Sequence, residues 1–312
     1  MKREHGVDQI VRDPRSVVTV GTFDGVHRGH QAILRYVLER ARARGGNSVV
    51  VTFDPHPREV VHDEPVPLLT TIDERADVFA SLGLDRFIVI PFTKAFAQLR
   101  GEAFVTEVLV RRIGLQEIVI GYDHAFGRGR EGDSRLLERL GREHGFGVDV
   151  IPAQVVEEHV VSSTEIRTLL VEAGDVREAA RLLGRPYALR GRVVRGDARG
   201  KTIGFPTANI EVAHPRKVVP RGGVYAVRVT VEGEDERRAG MMNIGVRPTF
   251  GGGALRLEVH LLDFDADLYD RHLRVEFVER IRDERRFDGV AALVEQLSQD
   301  RTRCIEALGG VS

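Results

Sequence analysis

The chain has one cysteine, few lysines and no long apolar run. A single cysteine, Cys304, cannot form a disulfide within the chain, and it excludes a metal site built from several cysteines. The N-terminal MKREHGVDQIVRDPRS lacks the apolar region of a secretory signal, and no apolar run reaches membrane-spanning length. We therefore expect a cytoplasmic protein that does not bind a membrane.

Neither positive nor negative charge is in excess in this chain. The 46 Lys and Arg residues nearly balance 47 Asp and Glu residues, so the formal net charge is −1. This balance gives no general attraction to nucleic acid or anionic lipid, and we expect neither as a partner. The chain has 312 residues, which exceeds the usual size of one domain and favours two.

Residues 17–152 alternate short apolar strands with amphipathic helices. The strands read SVVTVG, NSVVVTF, RFIVI, EIVIG and GVDVIP, and helical stretches such as HQAILRYVLERARA lie between them. This alternation predicts a parallel sheet with helices on both faces. Ligands of such sheets bind beyond the carboxyl ends of the strands. Segments 21–30 and 121–133 each follow a strand and should share that rim.

The pattern changes after GRPY, residues 184–187. Two helical stretches, SSTEIRTLLVEAG and DVREAARLLG, close the first half. The second half contains ALRGRVVRG, GVYAVRVTVEG, RRAGMMNIG, LRLEVHLLDF and LRVEFVERIR, with turn residues between them. Consecutive strands followed by the helical DGVAALVEQLSQDRTRCIEAL predict a small antiparallel barrel with a terminal helix. We place the boundary near Gly184, which gives domains 1–183 and 184–312.

The stretch GTFDGVHRGH, residues 21–30, carries more chemistry than a strand-to-helix turn requires. The free N–H groups and positive dipole of a helix start attract phosphate oxygens, and Gly25 and Gly29 allow close approach. His27 and His30 could donate hydrogen bonds to a phosphate that gains charge. A plain polar turn is the alternative. Zinc is disfavoured because two histidines lack the remaining ligands.

Two later segments also combine polar residues that suit phosphate. In VSSTEIR, residues 161–167, Ser163 or Thr164 could cap a helix while Arg167 holds two phosphate oxygens. RGKTIGFPTANI, residues 199–210, contains Gly-Lys-Thr but is not a P-loop. Arg195 stands where that motif needs its first glycine, and no helix pattern follows. Its residues alone leave a barrel loop with a proline turn as the alternative.

Together these segments resemble the two modules of one family. GTFDGVHRGH and SSTEIR are similar to the two signatures of HxGH nucleotidylyltransferases. TFDPHP and GYDHAFGRGREGD narrow the resemblance to the FMN adenylyltransferase module of bacterial bifunctional riboflavin kinase/FAD synthetases. GRVVRGDARGKTIGFPTAN, PRGGVYAV, NIGVRPTF, LEVHLLDFDADLY and ERIRDERRF resemble the riboflavin kinase module. The resemblance covers about residues 16–308.

The resemblance implies an α/β plus β fold: a Rossmann-like nucleotidylyltransferase domain, then a small antiparallel riboflavin kinase barrel with a terminal helix. It implies that riboflavin is phosphorylated to FMN by ATP. AMP from a second ATP is then joined to FMN, which yields FAD and pyrophosphate, with Mg²⁺ as cofactor. The alternatives are a chain with one surviving activity, an HxGH module with another acceptor or nucleotide, or an inactive flavin- or nucleotide-binding regulator.

The resemblance also assigns roles to residues. His27 and His30 act in adenylyl transfer, and Glu258 is the catalytic base of the kinase. The ATP of the adenylyltransferase is assigned to Gly21, Phe23, Asp24, Gly25, Gly29, Gly121, Asp123, Ser162, Ser163, Thr164 and Arg167. The ATP of the kinase is assigned to Gly200, Lys201, Gly204, Pro206, Thr207 and Asn209.

The remaining assignments concern the metal and the flavin. Thr207 and Asn209 are assigned to Mg²⁺, and Asp54, Arg282 and Phe287 to the flavin. The chain departs from the family at 124–125, where His-Ala replaces the usual Phe and basic residue, and at Asp270, where Gly is usual. The sequence leaves the oligomeric state open.

Overall fold

The computed structural model describes residues 1–122, 124–152, 155–156, 159–196, 199–247 and 254–309. By their internal contacts they form two compact units, Met1–Ser163 and Thr164–Ser312. Among the described residues, no helix is both long and apolar enough to cross a membrane.

The first unit is built on a six-stranded parallel sheet. Its strands are β1 (Lys2–His5), β2 (Ser16–Val20), β3 (Asn47–Asp54), β4 (Arg86–Pro91), β5 (Leu115–Gly121) and β6 (Gly147–Ile151). They lie in the order β1-β4-β3-β2-β5-β6. Strands β3, β4 and β1 lie on one side of β2, and β6 lies on the far side of β5. The strand order therefore reverses between β2 and β5, and a crevice opens beyond the carboxyl ends of these two neighbours. The sequence missed β1, whose KREH carries no apolar pattern.

Helices cover both faces of this sheet, as the alternation predicted. They are α1 (Arg28–Ala43), α2 (Pro57–His62), α3 (Ile72–Leu82), α4 (Lys94–Ala97), α5 (Gly101–Ala103) and α6 (Ser134–His144), and α5 continues as a π-helix over Phe104–Ile113. Short 3₁₀ turns lie at Val7–Gln9 and Arg128–Arg130, and β7 (Val155–Val156) pairs with β8 (His159–Val160). Val49 and Val51 pack against Leu109 on one face, whereas Val50 packs against Leu34 on the other.

The second unit is a closed antiparallel barrel of six strands. They are β9 (Ala188–Val194), β10 (Ala208–Val212), β11 (Gly223–Val231), β12 (Arg237–Arg247), β13 (Ala254–Leu261) and β14 (His272–Arg282), in the order β10-β13-β12-β11-β14-β9. The rings of Tyr225 and Phe277 meet edge-to-face at 5.3 Å, and both side chains are fully buried. The sequence predicted five of these strands but missed β10, because PTANI reads as a loop.

Helices flank the barrel. They are α7 (Ser163–Thr168), which continues as a π-helix over Leu169–Ala173, α8 (Val176–Leu183), α9 (Arg199–Thr202) and α10 (Val290–Ala307). Cys304 of α10 packs on the outer barrel face against Val224, Ala226 and Met241. The Arg221 amide donates to the carbonyl of Leu170 at 2.8 Å. Residues 164–183 therefore pack with the barrel unit. The predicted division near Gly184 concerns separable modules and stays a prediction.

Candidate active sites

The segment between β2 and α1 brings two imidazoles to the start of a helix. His27 is the N-cap of α1, and its Nδ1 accepts a hydrogen bond from the His30 amide at 3.4 Å. The two rings stack, with centroids 3.6 Å apart and planes at 21°. Gly29 lies between them in the first helical turn. The arrangement places both side chains at the N-terminal turn of α1, where the helix dipole favours negative charge.

An aromatic contact shapes this segment. Phe23 and Val26 have left-handed φ angles of 49° and 41°, and Gly25 has 81°. The Phe23 ring meets His30 edge-to-face at 5.1 Å. A Cβ at Gly21 would lie 3.1 Å from that ring, so glycine leaves room for it. The unusual backbone is thus held by the packing of Phe23 beneath the histidines.

Asp24 holds the segment to the chain before α3. Asp24 is 1% exposed, and its carboxylate accepts hydrogen bonds from the amides of Leu69 (3.0 Å) and Thr70 (2.9 Å) and from the Thr70 hydroxyl (3.1 Å). That hydroxyl in turn accepts from the Gly25 amide at 2.8 Å. These bonds make Asp24 a residue that positions the segment. Its predicted contact with ATP stays a prediction.

The structure joins the two signatures of the first site. The Ser163 hydroxyl donates to the Asp24 carbonyl at 2.8 Å, so SSTEIR begins directly beside GTFDGVHRGH. Ser162 and Thr164 are exposed and Arg167 is half-buried. Thr164 and Arg167 fall beyond the division of the two units.

The segment that follows β5 lies at the same rim, because β5 is the neighbour of β2 in the sheet. Gly121 ends β5, and Asp123 lies outside the described residues. His124 stacks on Phe126, with centroids 5.6 Å apart and planes at 27°. Phe126 in turn contacts Phe104 at 6.0 Å. The imidazole at 124 therefore keeps the aromatic stacking that the usual phenylalanine could make.

A cleft of about 470 Å³ lies at the end of β3. Asp54 is the last residue of that strand, and the next residue, Pro55, lines the cleft. Val60 and Phe92 add apolar surface, and Lys94 adds a positive charge. Glu59, Asp63 and Glu64 also line the cleft, so its wall carries more negative than positive charge. Its volume lies within the range of small-molecule sites. TFDPHP includes Pro55 of this lining, and the flavin role of Asp54 stays a prediction. The sequence did not predict α2, whose Val60 forms part of one wall.

In the second unit, strand register assembles the candidate kinase site. Asn209 of β10 lies directly opposite Glu258 of β13, which lies opposite Asn243 of β12. Directly opposed residues share a face, with Cβ atoms about 4.5–5.5 Å apart. Asn243 lies opposite Val224, which contacts α10, so this row is on the outer barrel face. Arg256 donates to Glu258 Oε1 at 3.4 Å. The sequence missed Asn243, because only strand pairing brings it there.

Glycines let the loop after β9 fold tightly against this row. A Cβ at Gly200 would overlap the Phe205 carbonyl oxygen and lie 3.3 Å from Thr207 Oγ1. A Cβ at Gly196 would overlap the Asn209 amide. Gly204 has a left-handed φ of 83°. Lys201, Gly204, Pro206 and Thr207 are exposed, so this loop lies open to solvent.

The donor atoms of this loop suit magnesium. Thr207 and Asn209 supply neutral oxygens, and Mg²⁺ in ATP sites is held by few protein oxygens together with phosphates and water. Among the described residues, no group of three or more His, Cys, Asp or Glu could hold a metal by itself. The tight approach at Gly196 and Gly200 forms a cradle beside these oxygens. The residues present therefore fit a metal that arrives with ATP.

The predicted flavin residues of the second unit contact each other. The Arg282 guanidinium lies 5.7 Å from the centre of the Phe287 ring. It also donates to the Asp300 carboxylate from Nε (2.9 Å) and Nη2 (2.7 Å). Asp300 is fully buried and accepts from Gln296 at 2.7 Å. Helix α10 thus anchors Arg282, a contact that the sequence did not indicate.

Comparison with known proteins connects both sites to one family. The family model described as FAD synthetase matches residues 9–165, and the riboflavin kinase model matches residues 183–308. The bifunctional riboflavin kinase/FMN adenylyltransferase of Escherichia coli K12 is 40% identical over 99% of this chain and 98% of its own length. The protein of that name from Pseudomonas fluorescens is 42% identical over 91% and 90%.

A solved structure extends this similarity to the whole fold. A protein from Streptococcus pneumoniae, described as a macrolide-efflux protein, is 33% identical and superimposes with a TM-score of 0.86. The match covers 97% of this chain and 98% of that one. The efflux description differs from the names of the curated relatives, which agree with both family models. The chain belongs to the family of bifunctional riboflavin kinase/FMN adenylyltransferases.

Proposed function

We propose that this chain makes FAD from riboflavin in two ATP-dependent steps, one in each unit. Riboflavin is first phosphorylated on its terminal ribityl hydroxyl, which releases ADP. A phosphate oxygen of FMN then attacks the α-phosphorus of a second ATP, and pyrophosphate leaves. The observation that carries the proposal is the presence of two separate constellations, the stacked His27 and His30 and the opposed Asn209 and Glu258.

Adenylyl transfer is assigned to the crevice beyond β2 and β5. His27 and His30 donate hydrogen bonds to phosphate oxygens as charge builds up in the transition state, and neither needs to act as a nucleophile. The N–H groups at the start of α1 and the glycines at 21, 25 and 29 admit the triphosphate. The resemblance assigns Ser162, Ser163, Thr164 and Arg167 to the same ATP. The cleft beside Asp54 is the place we assign to the flavin ring of FMN.

Riboflavin phosphorylation is assigned to the outer barrel face. Glu258 accepts the proton of the riboflavin hydroxyl as that oxygen attacks the γ-phosphorus of ATP. The loop with Gly200, Lys201 and Gly204 admits the phosphates. Thr207 and Asn209 would hold Mg²⁺, which neutralises phosphate charge when bound. Arg282 and Phe287 are assigned to the flavin.

Two further predictions from the sequence belong to this proposal. The modules are expected to separate near Gly184, which agrees with the start of the riboflavin kinase match at residue 183. A cytoplasmic location is proposed from the composition of the chain alone.

Product analysis tests the proposal. The purified full-length chain is incubated with riboflavin, ATP and MgCl₂, and riboflavin, FMN and FAD are separated by chromatography over time. We expect FMN to appear first and FAD to follow, and both steps to stop with EDTA and resume with added Mg²⁺. Accumulation of FMN without FAD would leave only the kinase. FAD formed only from supplied FMN would leave only the adenylyltransferase. Flavin binding without any product would favour the regulator.

A further inference from the structure

A buried arginine lies directly behind the first site. Arg75 belongs to the first turn of α3 and is 2% exposed. Its Nη1 donates to the carbonyl of Thr22 at 2.8 Å, and its Nε and Nη2 donate to the carbonyl of Thr70 at 3.4 and 3.2 Å. The Thr52 hydroxyl, 3.4 Å from Nη1, also donates to the Thr22 carbonyl at 3.2 Å. One guanidinium therefore connects α3 to the segment that carries the histidines.

The two carbonyls that Arg75 holds frame this segment. Thr22 precedes Phe23, whose ring packs under His30. The hydroxyl and amide of Thr70 bind Asp24, and its hydroxyl also accepts from the Gly25 amide. Residues 22–25 are thus held at Thr22 by Arg75, and at Asp24 and Gly25 by Thr70. A shift of either carbonyl would move the backbone N–H groups and the imidazoles together.

Charge gives a second reason for an arginine here. Burial lowers the pKa of Arg75, and the negative charges of Asp24 and Asp54 oppose that shift. Burying a charge costs free energy, so stability alone is a weak reason for a cation at this position. The buried Asp24 and the half-buried Asp54 place two negative charges near the rim that would accept the phosphates of ATP and FMN. A fixed positive charge behind it offsets their repulsion of the phosphates.

We propose that Arg75 is a positioning residue of adenylyl transfer: its fork fixes the Thr22 and Thr70 carbonyls, and its charge compensates Asp24 and Asp54. The inference rests on the function proposed for residues 21–30. The proposal predicts two separable effects. The geometry of the fork affects the rate of the chemical step, and the charge of Arg75 affects the binding of ATP.

Two substitutions in the full-length chain distinguish these effects. Arg75→Met removes fork and charge, and we expect kcat for FMN adenylylation to fall about 10²-fold and KM for ATP to rise about tenfold. Arg75→Lys keeps the charge but not the fork, so KM for ATP should stay near the parent value while kcat still falls about tenfold. Consumption of riboflavin by the same molecules measures the other unit and should not change.

Arg86→Met supplies a matched control in the same unit. Arg86 is also buried, donates to the Val11 carbonyl at 2.7 Å and pairs with Glu4, but it lies at the amino end of β4, away from the rim. We expect Arg86→Met to lower the urea midpoint of the first unit while kcat and KM per folded molecule stay at the parent values.

Three results would overturn the inference. The first is a parent-like kcat in Arg75→Lys. The second is the same KM for ATP in Arg75→Lys and Arg75→Met. The third is a loss of kcat in Arg86→Met as large as that in Arg75→Met. If Arg75→Met does not fold, the Lys variant decides alone, because parent-like kinetics there contradict the role of the fork. Failure of the parent chain to make FAD from FMN would instead contradict the proposed function.

Discussion

The two loops to which we assign phosphate binding are held in different ways. In the first unit, residues 23–27 are all buried, and hydrogen bonds from Arg75 to Thr22, from Gly25 to Thr70 and from Ser163 to Asp24 hold this segment. In the second unit, most of residues 200–207 are exposed. The Phe205 amide donates to the Gly200 carbonyl at 2.9 Å, and His260 Nδ1 lies 2.8 Å from the Pro206 carbonyl oxygen.

The two sites are therefore held by different kinds of structure. The first site owes its geometry to buried side chains around one loop. In the second, the strand pair opposes Asn209 to Glu258, and the loop beside it is more exposed. We therefore expect the loop of the kinase to tighten on ATP, whereas the adenylyltransferase segment is already shaped. Substitutions that affect one site and spare the other test this comparison.

The largest effect is expected at the proposed base of the kinase. Glu258→Gln keeps the size of the side chain but cannot accept the hydroxyl proton, so riboflavin phosphorylation should fall about 10²–10⁴-fold. Supplied FMN should be adenylylated at the parent rate. Glu211→Gln, on an exposed residue of β10, is the matched control. Chromatography of both reactions checks the expectation, and an equal loss of both activities in a folded protein would contradict the two-site assignment.

The reciprocal loss is expected from the first site. In His30→Ala, riboflavin should become FMN normally and FMN should accumulate, because a missing preorganised donor slows FAD formation about 10²–10³-fold. His144→Ala, on an exposed residue at the end of α6, should leave both rates unchanged. Unaltered FAD formation in His30→Ala would remove this histidine from the proposed mechanism.

A single methyl group should disturb the loop of the second unit. In Gly200→Ala the new Cβ overlaps the Phe205 carbonyl oxygen, so the backbone beside Thr207 must move. We expect riboflavin phosphorylation to fall about 10²-fold, as a displacement of about 1 Å at a reacting centre can cause. Adenylylation of FMN should not change. Gly233→Ala, with φ +86° and open space around it, is the control for a glycine substitution in the same unit.

Fragments of the second unit test where it begins. Both 164–312 and 184–312 contain the barrel, and both are expected to phosphorylate riboflavin. Val176, Leu182 and Leu183 of α8 are each about 99% buried, so the shorter fragment should lose about 3 kcal/mol or more of its free energy of unfolding. Urea unfolding of the two fragments measures this difference. Equal stability would place residues 164–183 outside the barrel unit.

The smallest effect concerns acid stability of the first unit. Burial disfavours ionised Glu117, but a hydrogen bond from Arg40 and the charges of Arg44 and Arg40 outweigh it and lower the pKa of this carboxyl. Ionised Glu117 therefore stabilises the folded unit above its ordinary pKa of 4.5, and this is lost as the pH falls through the folded pKa. In Glu117→Gln, unfolding below about pH 4.5 should depend less on pH. The exposed Glu107→Gln, measured by urea unfolding across pH, should retain the parent slope.

The sequence predicted the order and type of most elements because their signals are local. Alternating apolar strands and amphipathic helices indicated the parallel sheet, and consecutive strands indicated the barrel. The chemistry-bearing segments follow strands, so the sheet rule placed 21–30 and 121–133 at one rim. That their strands, β2 and β5, are neighbours was decided by the fold. Family similarity added the reaction, which spacing and composition did not contain.

What the sequence could not indicate depends on contacts between distant segments. KREH became a strand only by pairing with β4, and β10 only by pairing with β9 and β13. Residues 164–183 have a helical pattern that suits either unit, and burial of Leu182 and Leu183 decided their place.

The same division holds within the two sites. The sequence alone determined which residue types are available at each site: two histidines beside a helix start, a glycine-rich loop, and a glutamate in a strand. Only the tertiary structure decided that Arg75 and Thr70 brace residues 22–25 and that Asn209 opposes Glu258. The reason is physical. A helix cap or a turn is determined by neighbouring residues. The partners of a buried charge and the register of a strand are brought together only by the folded chain.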